Sequence, residues 1–263
     1  MSDVRTIAIA VLLIAASITG SSLHAGEIPQ SERRSGYSFM ARDTQAIQDD
    51  DTANPGMLGV LDGAALWKSK AGAAAKACAD CHDDARLGMR GVAARYPAFD
   101  KALGRPVNLE QRINLCRAER QQATQFAYES RELLALTAFV ASQSRGIAIT
   151  AGEDPVLAPF VAKGGDIFMR RQGQLNLGCS NCHNDNWDKH LAGSAITQAQ
   201  PTGYPLYRLE WQSLGSLQRR LRNCMIGARA QPYDYGAPEL VELELYLMSR
   251  ANGMPIETPA VRP

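Results

Sequence analysis

The chain has 263 residues, 45% hydrophobic and 21% charged, a globular composition with room for two modest domains. Its apolar fraction excludes a disordered chain, and its 22 Gly and 13 Pro, which follow no fixed period, exclude a collagen-like repeat. The net charge of +1 gives no global reason to expect nucleic acid or a membrane surface as partner, and six Cys beside four His leave a disulfide scaffold, a zinc protein and a haem protein to be separated.

Arg5 precedes an apolar run from Ile7 to Ala16, followed by small and polar residues and Leu23-His24-Ala25. This order predicts a secretory signal peptide over residues 1–25, cleaved after Ala25, and hence a periplasmic protein. The apolar run is shorter than the roughly 20 residues of a membrane-spanning helix, so no membrane span is expected in the mature chain. Residues 26–50 are polar and run into Asp49-Asp50-Asp51; they read as an N-terminal extension lying on the surface or partly disordered.

Export makes disulfides the default for six Cys, but their spacing argues otherwise. Cys78-Ala79-Asp80-Cys81-His82 and Cys179-Ser180-Asn181-Cys182-His183 are both Cys-x-x-Cys-His, the attachment sequence of c-type haem, 101 residues apart. Cys78, Cys81, Cys179 and Cys182 would form the thioethers, with His82 and His183 as proximal iron ligands. A zinc site would lack a sensible fourth ligand.

The repeat extends beyond the motifs. Gly63-Ala-Ala-Leu-Trp67 and Gly72 precede the first as Gly164-Gly-Asp-Ile-Phe168 and Gly173 precede the second. Downstream, Leu109-x-x-Arg112-Ile113-x-x-Cys116 matches Leu217-x-x-Arg220-Leu221-x-x-Cys224 at an offset of 108, so seven extra residues fall between the second haem motif and its lone Cys. Leu133, Leu136, Thr137 and Val140, and likewise Leu240, Leu243, Tyr246 and Leu247, form apolar stripes at helical spacing. The expected fold is mainly α: two tandem cytochrome c-like domains from an internal duplication, residues 51–150 and 151–263, each holding one covalently attached haem, with a linker around Gly146 to Pro159.

Cys116 and Cys224 hold equivalent positions, so both are candidate thiolate ligands on the second face of the iron. The alternatives are buried small hydrophobes or an interdomain disulfide, with Met89, Met225, Met248, Met254 or His190 as rival ligands. From Trp211 to Tyr233 there are four Arg (219, 220, 222 and 229) and no acid, whereas Glu110 to Arg120 mixes three Arg with two Glu. A dianionic substrate would prefer the uncompensated cluster beside Cys224, although these Arg could also solvate a helix face or hold haem propionates. Lys189 is a further candidate cation.

Two haem motifs, two lone Cys and two modules make the mature chain resemble the SoxA subunits of the SoxAX cytochromes in their two-haem form. The resemblance implies His and Cys axial ligation, His82 with Cys116 and His183 with Cys224, and two covalently bound haem c groups. It also implies Arg220 and Cys224 as catalytic residues, Cys224 carrying a persulfide. The implied partners are a small SoxX-like cytochrome, a SoxYZ-like sulfur carrier, thiosulfate and a soluble cytochrome c acceptor. The implied activity is that of an L-cysteine S-thiosulfotransferase, which joins thiosulfate oxidatively to a carrier cysteine. A dihaem electron-transfer cytochrome without a substrate of its own is the alternative, and a dihaem peroxidase fits two Cys ligands poorly.

Overall fold

A computed structural model describes residues 28–263; the predicted signal peptide lies outside the described residues. The first half runs through α1 (Arg42–Asp49), α2 (Gly56–Lys68), the one-turn helices α3 (Ala79–His82) and α4 (Ala85–Gly88), the antiparallel pair β1 (Ala98–Asp100) and β2 (Arg105–Val107), α5 (Leu109–Cys116) and α6 (Arg131–Ser142). The second half repeats the order with α7 (Ala158–Met169), α8 (Cys179–His183), a hairpin β3 (His190–Leu191) and β4 (Ser194–Ala195), the antiparallel pair β5 (Leu206–Arg208) and β6 (Ser213–Gly215), α9 (Leu217–Gly227) and α10 (Pro238–Arg250). A short β7 (Val261–Arg262) pairs in parallel with β5. Since β1 and β5 already differ by 108 residues, the seven extra residues lie before β5, in the stretch that holds the β3–β4 hairpin.

Each module is built on one close helix crossing, α2 on α6 and α7 on α10. A Cβ added at Gly63 would lie 2.1 Å from the Ala135 carbonyl oxygen, and one at Gly164 would lie 2.0 Å from that of Glu242. Only glycine lets these backbones meet. The same crossings set Trp67 against Phe139, with ring centroids 5.7 Å apart, and Phe168 against Tyr246 at 5.3 Å. Around them, Leu109, Leu136 and Val140 fill the first core, while Ile167, Leu240, Leu243 and Leu247 fill the second.

The stretch expected as a linker is part of a third core. Ile149 and Ala151 are fully buried with Ala94, Met248, Ala251 and Ile256, and the Ile149 N–H donates to the Met254 carbonyl at 2.9 Å. The extension lies on the surface and is ordered there, because its polar groups have specific partners. Ile28 and Met40 are buried, the Arg34 N–H donates to the Gln198 side chain at 2.6 Å, and the Ser35 hydroxyl donates to Glu257. The C-terminal tail crosses back to the first module, where Asn54 Nδ2 donates to the Pro259 carbonyl at 2.9 Å. Each end of the described chain therefore braces the opposite module, and satisfied hydrogen bonds order a stretch whose composition alone suggests looseness.

Glu110 of α5 and Glu244 of α10 line a cavity of about 60 Å³ between the modules. Burial pushes the Glu110 carboxyl up to about 7, with Glu129 adding to the effect, and burial followed by the proximity of Glu110 raises Glu244 well above the usual carboxylate range.

Candidate functional site

Each Cys-x-x-Cys-His sequence forms a single helical turn, Cys78–His82 at α3 and Cys179–His183 in α8, which gathers two thiols and an imidazole on one short element. The second of the two residues between the Cys reaches back to the backbone just before the motif. Asp80 accepts from the Ala77 N–H at 2.8 Å, and Asn181 accepts from the Gly178 N–H at 3.0 Å. His183 Nδ1 lies 2.6 Å from the Thr197 carbonyl, which can only accept, so the ring proton sits on Nδ1 and Nε2 keeps its lone pair for a metal. His82 is exposed, with its ring 5.7 Å from that of Trp67.

The loops entering the motifs are tied to the segments that follow the lone cysteines. Gly72 (φ +66°) would place a Cβ 2.1 Å from the Gln121 carbonyl, and Gly173 (φ +70°) one 2.3 Å from that of Ala228. These contacts join each motif loop to the segment that follows its lone cysteine, Cys116 at the end of α5 and Cys224 within α9. All six Cys are free, which removes the interdomain disulfide. Cys116 is half-buried, and burial pushes its thiol up while the Arg112 charge pulls it down. Cys224 is exposed, while burial, with Cys224 nearby as the next cause, pushes the thiols of Cys179 and Cys182 up.

Among the described residues no group of three or more His, Cys, Asp or Glu side chains could enclose a metal ion. The donors are instead one imidazole and one separate thiol per module, beside a pair of thiols. That set fits an iron whose equatorial ligands arrive with a porphyrin and fits zinc poorly. Among the rival methionines, Met89 packs against the first core and Met225 lies in the second, each in the cluster that a motif cysteine, Cys78 or Cys179, also joins, whereas Met248 and Met254 belong to the core between modules. His190 is exposed on the β3–β4 hairpin, and Lys189 Nζ donates to Asn186 at 2.7 Å.

The arginine cluster expected around Cys224 is thinner than its sequence window. Arg219 lies 3.9 Å from Glu129 of the first module and stacks on Trp211, while Arg222 stacks on Tyr235. Arg229 turns the chain with φ +55°. Arg220 remains. Its charge acts on His183 and Tyr204, Cys224 also acts on Tyr204, and among the described residues Arg220 has no acidic partner within ion-pair distance.

The equivalent Arg112 is neutralised. Asp100 accepts a short hydrogen bond from its Nη2, and this bond together with Tyr96 outweighs the burial that works against the Arg112 charge. At the offset of 108, Tyr204 stands for Tyr96 and Arg208 stands for Asp100. The second site thus has a cation where the first has its counter-anion. Arg208 is the site residue that the motifs alone do not mark, and the repeat alignment is the signal that finds it.

The family model described as SoxA/TsdA, cytochrome c domain, matches residues 62–149 and 163–256, more than half of the chain. The chain belongs to this SoxA/TsdA cytochrome c family. As a cytochrome c family member it carries covalently attached haem c. The L-cysteine S-thiosulfotransferase subunit SoxA of Rhodovulum sulfidophilum is 39% identical over 231 residues, covering 88% of this chain and 80% of that protein. The subunit of the same name from Pseudaminobacter salicylatoxidans is 37% identical over 235 residues, covering 89% and 82%. The crystal structure of SoxXA from P. pantotrophus superposes with a TM-score of 0.85 at 32% identity, over 88% of this chain and 87% of that one. Among the described residues no helix of this SoxA/TsdA member is long and apolar enough to cross a membrane.

Proposed function

We propose that this chain is the dihaem cytochrome subunit of an L-cysteine S-thiosulfotransferase. It joins thiosulfate to a cysteine of a SoxYZ-like carrier and passes two electrons to a soluble cytochrome c. The carrier thiolate and thiosulfate, with three negative charges between them, give a singly charged S-thiosulfonate cysteine and two electrons, so a new S–S bond forms and charge balances. The names of the curated relatives support the activity, and the SoxXA likeness supports a small SoxX-like cytochrome as partner.

In this reading Cys78 and Cys81 would attach one haem, whose iron His82 and Cys116 would hold, and Cys179 and Cys182 would attach the other, whose iron His183 and Cys224 would hold. When bound, haem c supplies a one-electron acceptor at each site. Cys224, carrying a persulfide, would place polarisable sulfur beside the two sulfurs that join, and Arg220 would bind the sulfonate oxygens and favour ionised sulfur. The modules extend over residues 51–150 and 151–263, and cleavage after Ala25 delivers the protein to the periplasm.

One observation carries the choice of site: Cys224 is exposed beside an arginine with no acidic partner, whereas Cys116 is half-buried beside one that Asp100 neutralises. A pure electron carrier would need no such difference. The test supplies the holoprotein and its partner cytochrome with thiosulfate and the carrier, and follows cytochrome c reduction. Cys224→Met or Arg220→Ala should lose turnover with haem content intact; normal turnover in both contradicts the assignment.

A further inference from the structure

The exchange of Asp100 for Arg208 between the repeats bears on substrate recognition, given that the proposed transfer takes place at the second module. The geometry points to Arg208 as a second anion-binding residue, which completes with Arg220 a two-guanidinium seat for the sulfonate end of thiosulfate.

Arg208 lies at the end of β5, and Tyr204 stands four residues before it. The Arg208 side chain is 13% exposed, so its charge is largely withdrawn from water. Burial, and then the charge of Arg220, push its guanidinium down from the ordinary arginine range, while Cys224 and Tyr204 act in the opposite direction. Arg208 and Arg220 stand at the positions, 108 residues on, where Asp100 and Arg112 meet in the first module, and since a guanidinium does not shed its proton at any ordinary pH, an anion seated between them would relieve the two like charges. Glu210 meets Arg208 at 3.1 Å, but its own side chain is 65% exposed, which leaves it a loosely held partner at the solvent rim. Trp211 lies 5.4 Å from the guanidinium carbon and limits its swing. The other cations near Tyr204 are committed: Arg262 pairs with Glu257 at 2.7 Å. The first module offers the contrast, since there the equivalent position holds the carboxylate that closes on Arg112.

A dianion with three tetrahedrally arranged oxygens can take a fork from each guanidinium, whereas one arginine alone leaves an oxygen without a donor. Arg208 would therefore act on binding more than on the bond-forming step. The test measures KM and kcat for thiosulfate with the assembled holoprotein, carrier and cytochrome c at constant ionic strength. Arg208→Gln is expected to raise KM about 10- to 100-fold and to change kcat by less than about threefold. The competitive inhibition constant of sulfate, an unreactive dianion, should rise in parallel, and Arg208→Lys should recover part of both.

Glu210→Gln tests the same point from the solvent side, where the fold is not at risk. Removing the rim partner should lower KM about two- to fivefold, while Glu153→Gln, an exposed acid in the segment between modules, should leave it unchanged. Wild-type KM and sulfate inhibition in Arg208→Gln, with Arg220→Ala still inactive, overturn the role of Arg208 and leave the proposed function standing. Should the Arg208 variants fail to load haem, an unchanged KM in Glu210→Gln overturns it equally. Normal turnover in Arg220→Ala would instead remove the site reading itself.

Discussion

The first and second modules carry the same lone sulfur at the end of equivalent frameworks, yet they present it differently. At Cys116 the neighbouring arginine is closed off by Asp100 and the thiol is half-buried; at Cys224 the neighbouring arginine has no acidic partner among the described residues, an arginine stands at the position of Asp100, and the thiol is exposed. Helix crossing, haem turn and glycine loop are shared to within a few tenths of an ångström in their closest contacts. A duplicated scaffold can thus hold two equivalent centres while one charge exchange and a difference in exposure reserve anion chemistry for one of them. Charge next to sulfur governs both which anions approach and how readily the sulfur ionises.

The largest expected effect breaks the shared part of the comparison. Gly63→Ala and Gly164→Ala each force a Cβ into a carbonyl 2.1 or 2.0 Å away, so each should destabilise the holoprotein by about 3 kcal/mol in thermal or denaturant unfolding. Similar losses from both would support the equivalence of the crossings, and a large loss from only one would break it. Next comes the charge exchange itself. Asp100→Asn leaves the partly buried Arg112 without its counter-charge and should cost about 2 kcal/mol, with visible haem absorption retained.

The smallest effect concerns pH. Glu110 is raised in the folded protein from an ordinary value of 4.5 to about 7, so the unfolded chain loses this proton first as pH climbs. The associated stability is present below about pH 4.5 and lost as pH rises towards 7, by about 1 kcal/mol after allowing for relaxation of the cavity. Glu110→Gln should flatten that slope in Tm against pH, and an unaltered slope would show that Glu110 is not its source.

The duplication and its haem turns are legible in sequence because attachment residues, glycines at helix crossings and apolar stripes repeat at nearly constant spacing. The ordered extension is not, since the bonds that fix it reach from Arg34 to Gln198 and from Ser35 to Glu257. Nor does local polarity show that Ile149 and Ala151, in the apparent linker, are buried between modules. The site itself is half legible. Counting charges from Trp211 to Tyr233 finds Arg220, but it credits Arg219 with no acid because Glu129 comes from the other module. The same window stops three residues short of Arg208, whose meaning emerges only when it is set against Asp100.

The central claim is that sulfur chemistry belongs to the second module. It is tested most directly by comparing Cys116→Met with Cys224→Met in one assay of thiosulfate- and carrier-dependent cytochrome c reduction, at matched haem content. Cys116→Met is expected to retain most of the turnover while Cys224→Met loses it by at least about a hundredfold; equal losses in the two variants, or a loss confined to Cys116→Met, would contradict it.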